Sequence, residues 1–225
     1  MRPISSALAA LATAAGLALA APAAAQTPTL PEASAEQLAA ASAEADALIS
    51  STGAPEMFAN VSRDGMVKVL HKASGLVCSY VPGAPNNSLV VYPGGRQRGD
   101  DVGCNADVGP AFITYYATRY GPGYSAADSA RDALAAIRNR FPDARPYQGG
   151  SARVEPPEGA GELELVAVLI GPEDAPRYSH ALTAKVGEWI FKQRLTGEGT
   201  EDAVMANQIV GGSLFHEVLV AAVSR

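Results

Sequence analysis

Histidine, cysteine and lysine are all scarce here: three histidines, two cysteines and four lysines in 225 residues. The histidines, His71, His180 and His216, stand far apart, and none has the spacing of a metal ligand. His216-Glu217 opens like the zinc-protease signature, but Val220 occupies the place of the second histidine, which removes the case for it. No G-x-S-x-G elbow is present to expose an activated serine, and Gly212-Ser213 falls inside a helical pattern. No C-x-x-C pair points to redox or metal chemistry. A basic run is also missing. The densest positive stretch, Arg131, Arg138, Arg140 and Arg145, is interleaved with Asp128, Asp132 and Asp143 and reads as a solvated helix face. With a net charge of −6, the chain lacks the phosphate-neutralising footprint of a nucleic-acid binder.

What is present begins with an export address. Arg2 supplies a positive start, the Ala/Leu run from Ile4 to Ala21 an apolar middle, and Pro22 followed by Ala23-Ala24-Ala25 a cleavage site. The run is too poor in large side chains to anchor a membrane firmly, so residues 1–25 are expected to be removed, with a retained anchor as the alternative. Removal leaves 200 residues with a net charge of −7 and no stable transmembrane segment. The few lysines beside many arginines and alanines fit a GC-rich bacterial genome, and the expected location is periplasmic or secreted. In that compartment Cys78 and Cys104 are expected to form a disulfide. Closing a loop of this length is worth roughly 3–4 kcal/mol by the chain-entropy argument. No cofactor is expected, since energy-rich nucleotides are scarce outside the cytoplasm.

After a Pro/Thr-rich leader (26–31), Ser34 and Gln37 form a capping-box pattern for an Ala-rich helix running to about Ser51, whose small apolar face predicts shallow docking. Residues 57–61, 66–71, 76–81 and 88–92 read as short strands separated by turns. Residues 93–109, rich in Gly, Asp and Arg, read as a loop that the Cys78–Cys104 bridge would pin. Its Asp100, Asp101, Asn105 and Asp107 match no calcium-loop spacing and suit turns equally well. Ala111–Tyr120 alternates, with Phe112, Thr114, Tyr116, Thr118 and Tyr120 on one side and Ile113, Tyr115, Ala117 and Arg119 on the other. A helix is expected over 125–140. After a Pro/Gly-rich connection come strands at 162–170, 177–184 and 188–195, then a helix over 200–223.

Strands in runs with helices between the runs predict an α+β fold, an antiparallel β-meander sheet with helices packed on one face. Residues 57–225 form the expected domain, readable as two β-meander-α halves, 57–145 and 160–225. In element order over residues 57–223 the chain resembles the PsbP/Mog1-type α-β-α layout, without a shared motif. Fold-level likeness of that kind implies no function.

Half of the eight tyrosines fall between Tyr115 and Tyr124. Tyrosine and arginine suit recognition surfaces because they bury area at little entropic cost and keep a polar tip. Tyr115, Tyr116, Arg119 and Tyr120 are therefore the candidate binding residues. The competing reading is that tyrosine is a good strand residue with one face in the core. The function expected is a non-catalytic exported module that binds a protein or envelope component. The alternative is a periplasmic hydrolase whose site is assembled from distant residues.

Overall fold

The computed structural model describes residues Glu32–Arg225. The export segment (1–25) and the leader (26–31) lie outside the described residues. Helix α1 (Ala35–Ser51) starts at the Ser34 cap. The Ser34 hydroxyl accepts the Gln37 N–H at 3.2 Å, and the Gln37 side chain accepts the Ser34 N–H at 2.8 Å. This satisfies two of the amide groups that a helix start leaves unpaired. Ala41, Ala45 and Ile49, four residues apart, form its buried face. Polar ties supplement these small side chains. Asn60 donates to the Ser42 carbonyl and to Asp46, both at 2.9 Å, and Glu44 accepts from the Gly83 N–H and from Asn87, both at 2.8 Å.

Strands β1 (Phe58–Asn60), β2 (Val67–His71) and β3 (Val77–Tyr80) form a small antiparallel sheet. The large sheet is antiparallel throughout. Its order is β4 (Ser88–Val91), β5 (Asp101–Val108), β6 (Ala111–Arg119), β10 (Trp189–Glu198), β9 (Arg177–Val186), β8 (Glu164–Ile170) and β7 (Arg145–Pro146). The fold is thus α+β with antiparallel sheets, and strands from both halves of the chain meet at the β6–β10 pair.

Two expectations are corrected. Residues 93–109 are not one loop, because Asp101–Val108 is an interior strand, paired on both edges. Val102, Cys104 and Ala106 point into the core while Asp101, Gly103, Asn105 and Asp107 alternate with them. Pairing and burial on one face outweigh the poor strand propensity of Gly, Asp and Asn. The helices also do not share one face. Helix α2 (Ala126–Arg140), started by a second capping box from Ser125 and Asp128, lies over the face that carries Thr183, whose hydroxyl donates to the Ala126 carbonyl at 2.8 Å. Helix α3 (Glu201–Val223) lies over the other face, where Gln193 donates to the Gly211 carbonyl at 2.8 Å. Successive strand residues point to opposite faces, and Thr183 pairs with Lys192, the neighbour of Gln193.

The main core fills the space between the α3 face, the small sheet and α1, with Tyr80, Ile113, Phe191, Leu195, Phe215 and Leu219 at its centre. The bond Cys78–Cys104, with a Cα–Cα distance of 6.1 Å, ties the small sheet to the large one inside this core. A second, smaller cluster of Ile137, Val168 and Ile170 lies under α2.

Candidate functional site

Helix α2 packs across β8 and β9 and only reaches β10. On the same face, no helix among the described residues covers the β4–β5–β6 side of the sheet. Register fixes what it presents. One cross-strand row runs Thr183, Lys192, Tyr116, Gly103; the next runs Ala181, Arg194, Thr114, Asn105; a third runs Ser179, Thr196, Phe112, Asp107. The face is rich in polar and cationic side chains, as expected where a sheet meets water.

Where α2 ends, this face forms a groove of about 540 Å³. Phe112, Tyr116 and Phe141 supply aromatic walls, and Arg140, Arg177 and Arg194 converge on it, with Asp143 the carboxylate on its lining. None of these three arginines forms an ion pair among the described residues, whereas Arg131, Arg145 and Arg153 each do. Phe112 is 37% exposed, a large apolar side chain left facing the groove.

Beside the groove, Tyr116 stacks on Tyr92 with ring centres 5.8 Å apart, and the Lys192 Nζ lies 4.4 Å from the Tyr116 ring centre. Gly103 makes room for this stack. A Cβ there would stand 2.6 Å from the Tyr115 carbonyl oxygen and 3.1 Å from the Tyr92 ring. Burial lowers the proton affinity of Lys192, and the Asp101 carboxylate opposes that shift. Burial raises Asp101 in turn, against the 2.8 Å hydrogen bond it accepts from Thr118. Burial likewise pushes the Tyr92 phenol up. The result is a row of partly buried polar groups held by their neighbours along the edge of the groove.

The four residues expected from the sequence do not form one surface. Tyr116 borders the groove. Tyr115 points to the opposite face and is buried, its phenol raised by burial. The Arg119 guanidinium lies 4.9 Å over the Trp189 ring, with its Nε 3.7 Å from Asp100 and 3.8 Å from Glu188. Tyr120 stacks on Tyr124 at 3.9 Å, and Tyr124 donates to Asp132 at 2.6 Å beside the start of α2. The alternation read from Ala111–Tyr120 separates Tyr115 from Tyr116. Arg140, Arg177 and Arg194 escape sequence reading because they come from three elements, although Lys192, Arg194 and Thr196 already alternate within one apolar strand.

The histidines stay apart as well. His71 and His180 are buried, and burial lowers each to about 4. His216 meets the Glu155 carbonyl at 2.9 Å. Among the described residues, no group of three His, Cys, Asp or Glu side chains is placed to hold a metal.

No family model and no curated protein matches this chain. Among solved structures, one that it resembles is described as LpqN, involved in cell envelope biogenesis of Mycobacterium tuberculosis. The likeness has 14% identity and a TM-score of 0.29, over 56% of this chain and 66% of that one, just under two thirds of its length. A likeness of that size carries no argument about this chain.

Proposed function

We propose that this chain is an exported, disulfide-containing, non-catalytic module that binds a protein or envelope component through the groove beside α2. The observation that carries the reading is the convergence of Arg140, Arg177 and Arg194, without ion-pair partners among the described residues, on a groove walled by Phe112 and Tyr116. In an acidic chain, arginines left unpaired beside exposed aromatics have the composition of a recognition patch. The planar guanidinium favours carboxylate or phosphate partners, so the bound component carries such groups. The buried Cys78–Cys104 bond supports export, because such bonds persist in oxidising compartments.

The test is capture from a cell-envelope extract with the native chain and with an Arg177→Ala, Arg194→Ala, Tyr116→Ala variant. The variant is expected to lose the captured component, and an unchanged profile would sink the groove reading.

The hydrolase reading has one observation on its side: His71 and Asp100 share a shallow hollow of about 380 Å³ with Arg119. Against it, the Ser74 hydroxyl that meets His71 Nδ1 at 2.9 Å is buried, accepts the Leu76 N–H and does not line the hollow. A Ser74→Ala variant with unchanged turnover of activated esters removes this serine from contention.

A further inference from the structure

On the opposite side of the large sheet lies a second cavity, of about 330 Å³, between α3, the small sheet, the end of β5 and the middle of β6. That volume falls within the range of roughly 300–1,000 Å³ typical of small-molecule sites. Its walls are apolar: Val77, Tyr80, Val108, Leu214, Val218 and Ala221. Among the lining side chains, Tyr115 carries a buried hydroxyl. The Tyr115 side chain lines the cavity yet is only 5% exposed, and its oxygen accepts a hydrogen bond from Gln193 at 3.4 Å. No group among the described residues accepts the Tyr115 proton. Buried hydroxyl groups in folded proteins nearly always spend their donor, so this one is set to meet an acceptor brought by a ligand.

The charges at the rim select the kind of ligand. Lys68 is already paired with Asp64. Glu217, on α3, has no ion-pair partner among the described residues. An unpaired carboxylate beside a neutralised lysine repels a free fatty acid. An uncharged head with a carbonyl oxygen meets the Tyr115 donor without that repulsion. The site is also held in shape. Cys78, between the lining residues Val77 and Ser79, is bonded to Cys104, which lies across from Tyr115 in the β5–β6 pair. A preformed cavity spends less binding energy on ordering itself.

We propose that this cavity binds an uncharged acyl ester or amide, its chain along Leu214, Val218 and Ala221 and its carbonyl oxygen accepting the Tyr115 hydroxyl proton. The site is separate from the groove beside α2 and does not depend on that reading.

The test uses the full chain and the fluorescent probe 1-N-phenylnaphthylamine, displaced by monolaurin, by laurate or by dodecane. Probe fluorescence is expected to rise on binding, and monolaurin is expected to displace it at least tenfold more effectively than laurate. Ala221→Trp and Leu214→Trp, each checked for native circular dichroism, are expected to abolish probe binding by filling the cavity. Tyr115→Phe is expected to keep probe binding and weaken monolaurin about tenfold, with dodecane unaffected. The proposal is overturned if the native chain does not bind the probe, if both folded tryptophan variants bind it unchanged, if laurate matches monolaurin, or if Tyr115→Phe leaves monolaurin displacement unaltered. Arg131→Ala, on exposed helix surface, is the control and is expected to behave as the native chain.

Discussion

Cys104 lies directly across the β5–β6 ladder from Tyr115, so the disulfide and the buried phenol project from the same face of the sheet. The covalent tie between the sheets therefore sits beside the polar group of the apolar cavity. What strengthens one also holds the geometry of the other.

Removing that tie gives the first prediction. The bond closes a sequence separation of 26 residues, for which the loop-entropy argument assigns roughly 3–4 kcal/mol. At this chain length, that corresponds to a fall in Tm of roughly 6–16 °C. Thermal unfolding followed by circular dichroism, with and without reductant, checks it. A fall of a degree or less would show that packing alone holds the small sheet in place.

Gly103 gives a second. A Cβ at this position meets the Tyr115 carbonyl at 2.6 Å, a backbone atom that cannot rotate away. Gly103→Ala is expected to force β5 from β6 and to destabilise by about 1–3 kcal/mol, in the range of overpacked cores. Urea denaturation measures it. In contrast, Gly109→Ala has open space around its Cβ and meets only the strain of a backbone φ of 57°.

The pH dependence of stability follows from His71 and His180. Burial holds both near 4 in the folded chain, with Asp100 opposing the shift at His71, Arg119 adding to it, and Gln193 opposing it at His180. In the unfolded chain both return to about 6.5. Between those values the unfolded chain binds more protons, so the contribution of the two histidines is full above about pH 6.5, falls as the pH drops toward 4, and levels off below that. Each histidine contributes about 3 kcal/mol to the fall, because the folded and unfolded values differ and each tenfold change in proton affinity is worth about 1.4 kcal/mol. Urea midpoints between pH 7.5 and 4.5 test the slope, and His180→Gln is expected to flatten it by about half. A midpoint independent of pH across this window would contradict the buried neutral state.

Arg119 gives a prediction that separates it from the groove. Its contacts are the Trp189 ring and the carboxylates of Asp100 and Glu188 at long range, and a third of its side chain is exposed. Solvent screening leaves a modest contribution. Arg119→Ala is expected to cost about 1 kcal/mol of stability and to leave capture by the native groove unchanged. Loss of the captured component, with stability intact, would return Arg119 to the binding surface.

Particular residues show how far local pattern reaches. Ser34 with Gln37, and Ser125 ahead of Ala126, Ala130 and Ile137, announce two helices because caps and helical spacing act within a few residues. The split between Tyr115 and Tyr116 is equally legible, since neighbouring strand residues must point apart. Asp101–Val108 is different. Its alternation of Val102, Cys104 and Ala106 with polar neighbours is present but obscured by Gly, Asp and Asn, and only the flanking strands β4 and β6 make it a strand. The groove is less legible still. Arg140 ends a helix, Arg177 begins β9 and Arg194 lies in β10, so nothing short of the sheet order brings them together.

By itself the sequence determined the elements that depend on near neighbours: the capped helices, most strands, and an antiparallel α+β arrangement with two cysteines suited to pairing. The tertiary structure alone decided that α2 and α3 take opposite faces. It also decided that β5 is an interior strand, that three arginines without ion-pair partners among the described residues meet beside α2, and that Tyr115 lines an apolar cavity. Caps and alternation are local forces between residues a few places apart. Faces, grooves and cavities arise from pairings between strands tens of residues distant, whose order is chosen by the burial of the whole core.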